Sequence, residues 1–170
     1  MGRVLDALAK SPYGDNTIVV FLSDHGFHLG EKHHWQKATL WEEATRVPLI
    51  VSAPGHAPAR CARPVSLIDL YPTLIDLCGL PGYEAQDGQS LVPLLEDPKA
   101  PWDRPAIIQY EPGNVAVRSD RYRYIRYRNG DEEFYDLKWD PYEWTNLADD
   151  SGAAEEKARL AKWATDEWAK

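Results

Sequence analysis

Residues 17–22 read Thr-Ile-Val-Val-Phe-Leu, and the next four are Ser23, Asp24, His25 and Gly26. An unbroken run of β-branched and apolar side chains leaves no position for a solvent-facing alternation, so it reads as a strand buried on both faces of a parallel sheet. Residues 48–52, Pro-Leu-Ile-Val-Ser, repeat the pattern. Around them lie Val4, Leu5, Leu8 and Ala9 at helical spacing, a stop at Ser11-Pro12-Tyr13-Gly14, and a short helix predicted at 39–45. That alternation predicts an α/β unit rather than a bundle or a sandwich. Open α/β sheets hold ligands beyond the carboxyl ends of their strands, which directs attention to residues 23–37.

The remaining segments organise around punctuation. A helix is predicted over 69–78, with Asp69 as N-cap, Pro72 in the first turn and Gly79 as the stop. Residues 82–105 are rich in Pro, Gly and charge and read as a long connection with one helical turn near 91–95. From residue 106 the chain reads as short strands at 107–110, 115–118, 122–127 and 133–137. Turn residues at 112–114, 119–120 and 129–130 separate them, which predicts an antiparallel meander. A helix predicted over 153–168 puts Leu160, Trp163, Ala164 and Trp168 on one face, against that small sheet. Two parts are therefore expected, residues 1–105 and residues 106–170.

Charge and cysteine usage narrow the function. The chain has 170 residues, 44% hydrophobic, and a formal net charge of −8. Long-range repulsion then disfavours nucleic acid or an anionic membrane as a general partner, and an anionic substrate needs a local cationic site. Two cysteines, Cys61 and Cys78, lack metal-type spacing and exclude a disulfide framework. Residues 1–10 do not read as a secretory leader, and no stretch is apolar enough to span a bilayer.

Residues 23–37 concentrate ionisable groups directly after a strand. Asp24 is a hard-oxygen donor suited to calcium or magnesium, and His25 can add a nitrogen ligand or orient a reacting group. The Lys37 ammonium suits the oxygens of a tetrahedral anion, sulfate or phosphate. Taken by residue type alone, an Asp-His pair after a strand can equally be a capping pair, and a lone lysine can be merely solvated.

The ordered series is more specific. Residues 16–26, Asn-Thr-Ile-Val-Val-Phe-Leu-Ser-Asp-His-Gly, are followed by Leu29-Gly30-Glu31, by Trp35-Gln36-Lys37, and by Glu43-Ala44-Thr45-Arg46-Val47-Pro48. Further along come Asp69-Leu70-Tyr71-Pro72-Thr73, Asp87-Gly88-Gln89-Ser90-Leu91 and Glu133-Phe134-Tyr135-Asp136-Leu137. This series resembles the C-terminal portion of the type I, formylglycine-dependent sulfatases, in particular their iduronate-2-sulfatase-like branch. The resemblance implies the C-terminal part of an alkaline-phosphatase-like α/β fold with a small antiparallel sheet packed by a helix. It further implies that Asp24 and His25 ligate one metal ion, calcium in preference to magnesium, and that Lys37 contacts the sulfate, with His25 and Lys37 as the catalytic pair. The implied substrate is a sulfated saccharide or small sulfate ester, and the implied compartment is the periplasm, the lysosome or the exterior.

The same resemblance marks departures. The nucleophile of such enzymes is a formylglycine made from a cysteine opening a Cys-x-Pro-x-Arg segment, and neither Cys61-Ala62-Arg63-Pro64 nor Cys78-Gly79-Leu80 has that form. On this basis the chain alone is expected to lack sulfatase turnover. It is also expected to need the missing N-terminal half of a sulfatase as partner if the enzyme is split. Two alternatives remain open: a phosphonate or phosphate ester hydrolase of the same superfamily, and a non-catalytic module that binds sulfated glycan.

Other polar residues receive plainer expectations. His28, His33 and His34 read as surface-loop histidines, and Glu31 and Trp35 as loop-shaping. Arg118, Arg121, Arg123, Arg126 and Arg128 alternate with tyrosines as strand residues, with Glu111, Asp120, Asp131, Glu132 and Glu133 as ion-pair partners. In related sulfatases this sheet can line the substrate cleft, which makes Arg118 a candidate for substrate binding. Trp139, Tyr142 and Trp144 are expected to pin their loop to the sheet.

Overall fold

The computed structural model describes residues 1–82 and 86–165. Helix α1 (Gly2–Ala9) precedes strand β1 (Val19–Leu22), and helix α2 (Glu42–Thr45) leads into β2 (Leu49–Ser52). The two strands pair, but antiparallel, with Val19 opposite Ser52 and Leu22 opposite Leu49. The expected parallel arrangement is thus corrected. An apolar run specifies that a strand is built to be covered, not which way its neighbour runs. A parallel return needs a crossover long enough to span the sheet, and the only α-helix in this link has 4 residues. Nor are the strands deeply buried, since Phe21 and Ile50 are 39% and 59% exposed.

Helix α3 (Leu70–Leu77) starts through a preceding 3-10 turn, Leu67–Asp69. Asp69 stands at the N-cap position of α3 as expected but makes no side-chain cap bond there, and Ser66 caps the preceding turn. The Asp69 carboxylate forms the other half of a capping box by accepting the Ser66 N–H at 2.8 Å, while its second oxygen accepts the Gln89 N–H at 2.9 Å. Asp69 is therefore a buried tie between α3 and the segment beyond it. Gly79 ends the helix as expected. Helix α4 (Val92–Glu96) occupies the one predicted turn of the long connection and, with Leu91 and Trp102, forms a small core.

Strands β3 (Ala106–Gln109), β4 (Val115–Arg118), β5 (Tyr122–Arg126) and β6 (Glu132–Asp136) form an antiparallel meander in chain order. Their period-2 alternation creates two apolar faces. Val115, Val117, Tyr124 and Phe134 face Leu160 and Ala164 in and just beyond helix α5 (Ala154–Ala161), while Ala116, Ile125 and Tyr135 face Leu40. Fully burying a Val, Leu, Ile or Phe contributes about 1.5–3 kcal/mol, so this sheet is the main core. Helix α5 is shorter than expected, and Trp163 lies at its margin, 39% exposed. Trp168 falls outside the described residues. Among the described residues, no helix is long and apolar enough to cross a membrane.

One face of the small sheet therefore packs on α5. Its other face packs on residues 40 and 41, at the end of the polar loop that follows β1. This contact is what positions the site.

Candidate active site

The loop after β1 is pinned at both ends. The Gly26 N–H donates to the Ala44 carbonyl at 2.9 Å, and a Cβ on Gly26 would lie 1.8 Å from the Glu43 carbonyl oxygen. Only glycine allows the Asp24-His25 turn to approach α2 this closely. The loop then folds back on itself: His28 N–H donates to Gln36 O at 3.2 Å, and Gly30 N–H to His34 O at 2.9 Å. The reversal uses Gly30 at φ +127°, then Lys32 and His33 at φ +51° and +59°. Glu31 shapes it as expected, accepting the Leu29 N–H at 2.6 Å.

This reversal delivers Lys37 to Asp24. The Lys37 Nζ lies 2.7 Å from Asp24 Oδ2. That hydrogen bond, reinforced by the His25 backbone N–H and by the lysine charge, holds the Asp24 carboxyl down at about 2. Asp24 is therefore an anion throughout the physiological range while remaining open to solvent. His25 is exposed beside it.

Asp24 and His25 line the mouth of a cleft of about 610 Å³. Its walls come from residues 42–49, from residues 61–67 and from β3 and β4, and they include Arg118, one of the expected site residues. Arg118 reaches Glu42 Oε2 through Nε at 3.1 Å. Arg123, also in the lining, is 1% exposed; it donates through Nη1 to Leu40 O at 2.6 Å and pairs through Nη2 with Glu42.

Beneath Arg123 lies Glu143, 2% exposed. Glu143 Oε1 is 2.7 Å from Arg123 Nε, yet the N–H is not aimed at that oxygen, so the contact is an ion pair without a hydrogen bond. Its other oxygen accepts the Glu42 N–H at 2.8 Å. Burial alone would raise the Glu42 carboxyl, but Arg123 and Arg118 outweigh it and hold it low. For Glu143 burial prevails and raises it, with Arg123 opposing.

Several expectations are corrected here. Some arginines take partners other than those expected: Arg121 pairs with Asp136, and Arg123 with Glu42 and Glu143, while Asp120 pairs with Arg63. His28 is not a surface histidine. It is fully buried, with Nε2 2.7 Å from Thr39 Oγ1, and its ring meets His34 and Trp41. Burial lowers its basicity. Lys32 lies over the rings of Trp41 and Tyr135 at 4.7 and 4.8 Å and donates to the Glu143 carbonyl, which clamps the left-handed turn to the small sheet. Trp139, Tyr142 and Trp144 do not pin their loop; they are 75%, 61% and 63% exposed, and the buried Glu143 between them does the anchoring.

The Glu42–Arg123–Glu143 group is not legible in the sequence, because its members are far apart and follow no periodicity. A weak signal existed in Glu42 itself, an acidic residue opening a short helix beside the site loop.

Asp24 offers an ionised, accessible carboxylate, one oxygen of which is paired with the Lys37 ammonium. The chemistry fits two donors of a hard-cation shell. Among the described residues, no group of three His, Cys, Asp or Glu side chains completes one.

The sulfatase family profile matches residues 1–80. A sulfatase of Formosa agariphila is 46% identical over 149 residues, covering 87% of this chain and 29% of that protein. The chain belongs to the sulfatase family. A Delta 4,5-hexuronate-2-O-sulfatase of Bacteroides thetaiotaomicron is 38% identical over 86% of this chain and 34% of its own length. A choline-sulfatase of Rhizobium meliloti is 34% identical over 94% and 32%. The chain thus spans about a third of the length of the curated relatives it matches.

Among solved structures, one determined in complex with its substrate D-glucosamine-2-N,6-O-disulfate superposes with TM-score 0.82 at 31% identity, over 96% of this chain and 36% of that one. The phosphonate monoester hydrolase of Agrobacterium radiobacter gives 0.79 at 28% identity, over 95% and 37%. The architecture is therefore the C-terminal part of an alkaline-phosphatase-like sulfatase fold.

Proposed function

We propose that this chain carries the sulfate-binding and metal-contacting portion of a sulfuric ester hydrolase acting on a sulfated saccharide or small sulfate ester. The observation that carries the reading is the Asp24–Lys37 pair, 2.7 Å apart, whose Asp24 lines a cleft together with four arginines, in a chain of net charge −8. Local positive potential against an acidic background is what an anionic substrate requires. The relatives' printed substrates, a hexuronate 2-O-sulfate and a glucosamine disulfate, support a saccharide. Within the family we place the chain in the iduronate-2-sulfatase-like branch, divided into residues 1–105 and 106–170.

In this reading Lys37 neutralises sulfate oxygens and Arg118 orients the rest of the substrate. Asp24 and His25 hold a calcium ion, which when bound supplies Lewis-acid polarisation of the sulfate. Asp24 is ready for that role without losing a proton, because Lys37 keeps it ionised. His25, exposed at the cleft, is placed to orient the reacting ester. The attacking nucleophile comes from outside residues 1–170, from the other part of a sulfatase.

A second reading, a phosphonate monoester hydrolase, is favoured by the structural likeness to the Agrobacterium radiobacter enzyme. Aryl sulfates and aryl phosphonate monoesters carry the same charge, so calorimetric titration with both, in millimolar calcium, separates the two readings. The chain is expected to bind the aryl sulfate more tightly, and Lys37→Ala to weaken that binding about tenfold or more. Tighter binding of the phosphonate favours the second reading. Binding that is indifferent to Lys37→Ala contradicts both.

A further inference from the structure

Lys37 meets Asp24 through a flexible side chain that is 48% exposed, so the pairing depends on where the backbone carries residue 37. The residues on both sides of it are hydrogen-bonded to His28. The His28 backbone N–H donates to the Gln36 carbonyl at 3.2 Å, and its ring Nε2 lies 2.7 Å from Thr39 Oγ1. Between these ties Ala38 adopts φ +73°, a left-handed conformation that a non-glycine residue keeps only where its surroundings fix it. Just beyond Thr39 the chain enters the core under the small sheet at Leu40, which is buried. His28 thus sets the direction in which the chain leaves the loop, with Lys37 at the bend.

The imidazole itself is fully buried, and the rings of His34 and Trp41 are each centred 5.9 Å from it. Its Nδ1 has no hydrogen-bond partner among the described residues. A proton there would be a buried donor without an acceptor, which places the proton on Nε2 and makes the neutral ring the donor to Thr39. An apolar ring would fill the same space without leaving a nitrogen unpaired; what the imidazole adds is the bond to Thr39.

We infer that His28 is a positioning residue: by tethering Gln36 and Thr39 it holds Lys37 against Asp24. This placement stands on the geometry of the loop. Its effect on substrate rests on the sulfate-ester reading above, in which Lys37 takes the sulfate. Displacing such a group by about 1 Å costs about a hundredfold in rate in an enzyme site.

Four variants separate the tether from simple packing. His28→Phe keeps a ring and removes the bond, while His28→Gln gives up the ring and keeps an N–H donor of similar reach. Thr39→Val removes the bond from its other end, and Thr39→Ser keeps the hydroxyl. Nuclear Overhauser contacts between the Lys37 ε-methylene and the Asp24 β-methylene report the placement in the unliganded chain. They are expected in wild type, His28→Gln and Thr39→Ser, and are expected to be lost in His28→Phe and Thr39→Val. Calorimetric titration with an aryl sulfate in millimolar calcium reports the consequence. The two variants without the bond are expected to bind about tenfold more weakly, and Lys37→Ala added to either is expected to weaken binding by a further factor of about two or less, because the same interaction is removed twice.

Contacts that persist in both His28→Phe and Thr39→Val overturn the inference. So does their loss in all four variants, which assigns the effect to packing and not to the bond. Contacts that follow the expected pattern while neither wild type nor any variant binds the aryl sulfate uphold the placement and overturn the sulfate-ester reading. Near-ultraviolet circular dichroism verifies folding first, and if His28→Phe does not fold, the Thr39→Val and Thr39→Ser pair decides.

Discussion

The Asp24 carboxyl meets the Lys37 ammonium at 2.7 Å in a loop open to water, and its ionisation is depressed to about 2. The contribution of such a group to folding is present above its unfolded value near 3.8 and is lost as pH falls through about 2. Exposure keeps that contribution small; the consequence is for charge at the site. Replacing Lys37 with Met removes what favours the anion, so the Asp24 midpoint rises toward the ordinary range near 3.8. Carbon-detected NMR titration of the Asp24 carboxyl checks this, and an unmoved midpoint contradicts the assignment of the shift to Lys37.

At this scale, legibility varied with how local the cause was. Asp24, His25 and Lys37 could be singled out because they follow an apolar strand and stand in the ordered series that resembles the sulfatases; their types alone left a capping pair and a solvated lysine equally open. Asp24 and Lys37 do meet, and His25 and Arg118 share the cleft with Asp24. His28 reads as a surface histidine because it falls in a loop dense in ionisable groups, with His25, Glu31, Lys32, His33 and His34 close in sequence. Its burial comes from Thr39, His34 and Trp41, which the loop reversal folds over it. No residue adjacent to His28 announces that reversal except Gly30, and the following left-handed residues, Lys32 and His33, are not glycines.

Among elements, the decisive contact is between the start of α2 and the small sheet. Arg123 on β5 reaches Leu40 and Glu42, and Glu143 beyond β6 accepts the Glu42 N–H. This buried group ties the α2 wall of the cleft to the meander. Arg123→Met strands the buried Glu143 carboxylate and leaves Glu42 with Arg118 alone, and is expected to cost about 3–5 kcal/mol at neutral pH, read by urea denaturation.

The penalty has a defined pH dependence. In the variant, Glu143 is left without its opposing charge, so its folded-state value lies further above the unfolded 4.5, while Glu42 keeps Arg118 and loses only part of what holds it low. At Glu143 the folded variant then binds protons more readily than its unfolded chain and gains stability as pH falls toward 4.5. Wild type instead loses the Glu42 contribution as pH falls below 4.5 and through its lowered folded value. The gap therefore narrows in acid; a gap constant from pH 7 to pH 4 contradicts the account. The meander itself was readable from alternation and turn residues to within a residue or two. The direction of the β1–β2 pair was not, because hydrophobic pattern encodes burial and not strand polarity.

Over the whole molecule, two surfaces differ in kind. The meander and α5 enclose a dry core, with Val115, Val117 and Phe134 fully buried. The α1 and β1–β2 region instead leaves Val4, Phe21 and Ile50 open at 69%, 39% and 59%. A strand pair with so much apolar surface uncovered is consistent with a chain matching about a third of its relatives' length. The cleft lies where the two regions meet, taking Asp24 and His25 from one and Arg118 and Arg123 from the other.

The central claim is that this junction binds a sulfate ester. Backbone amide NMR during titration with an aryl sulfate in millimolar calcium tests it most directly. The account predicts saturable shifts concentrated at residues 24–26, 37, 45–47 and 118, and their loss in Lys37→Ala. Shifts confined instead to the outer arginines, such as Arg121 and Arg128, or spread without saturation, would contradict it.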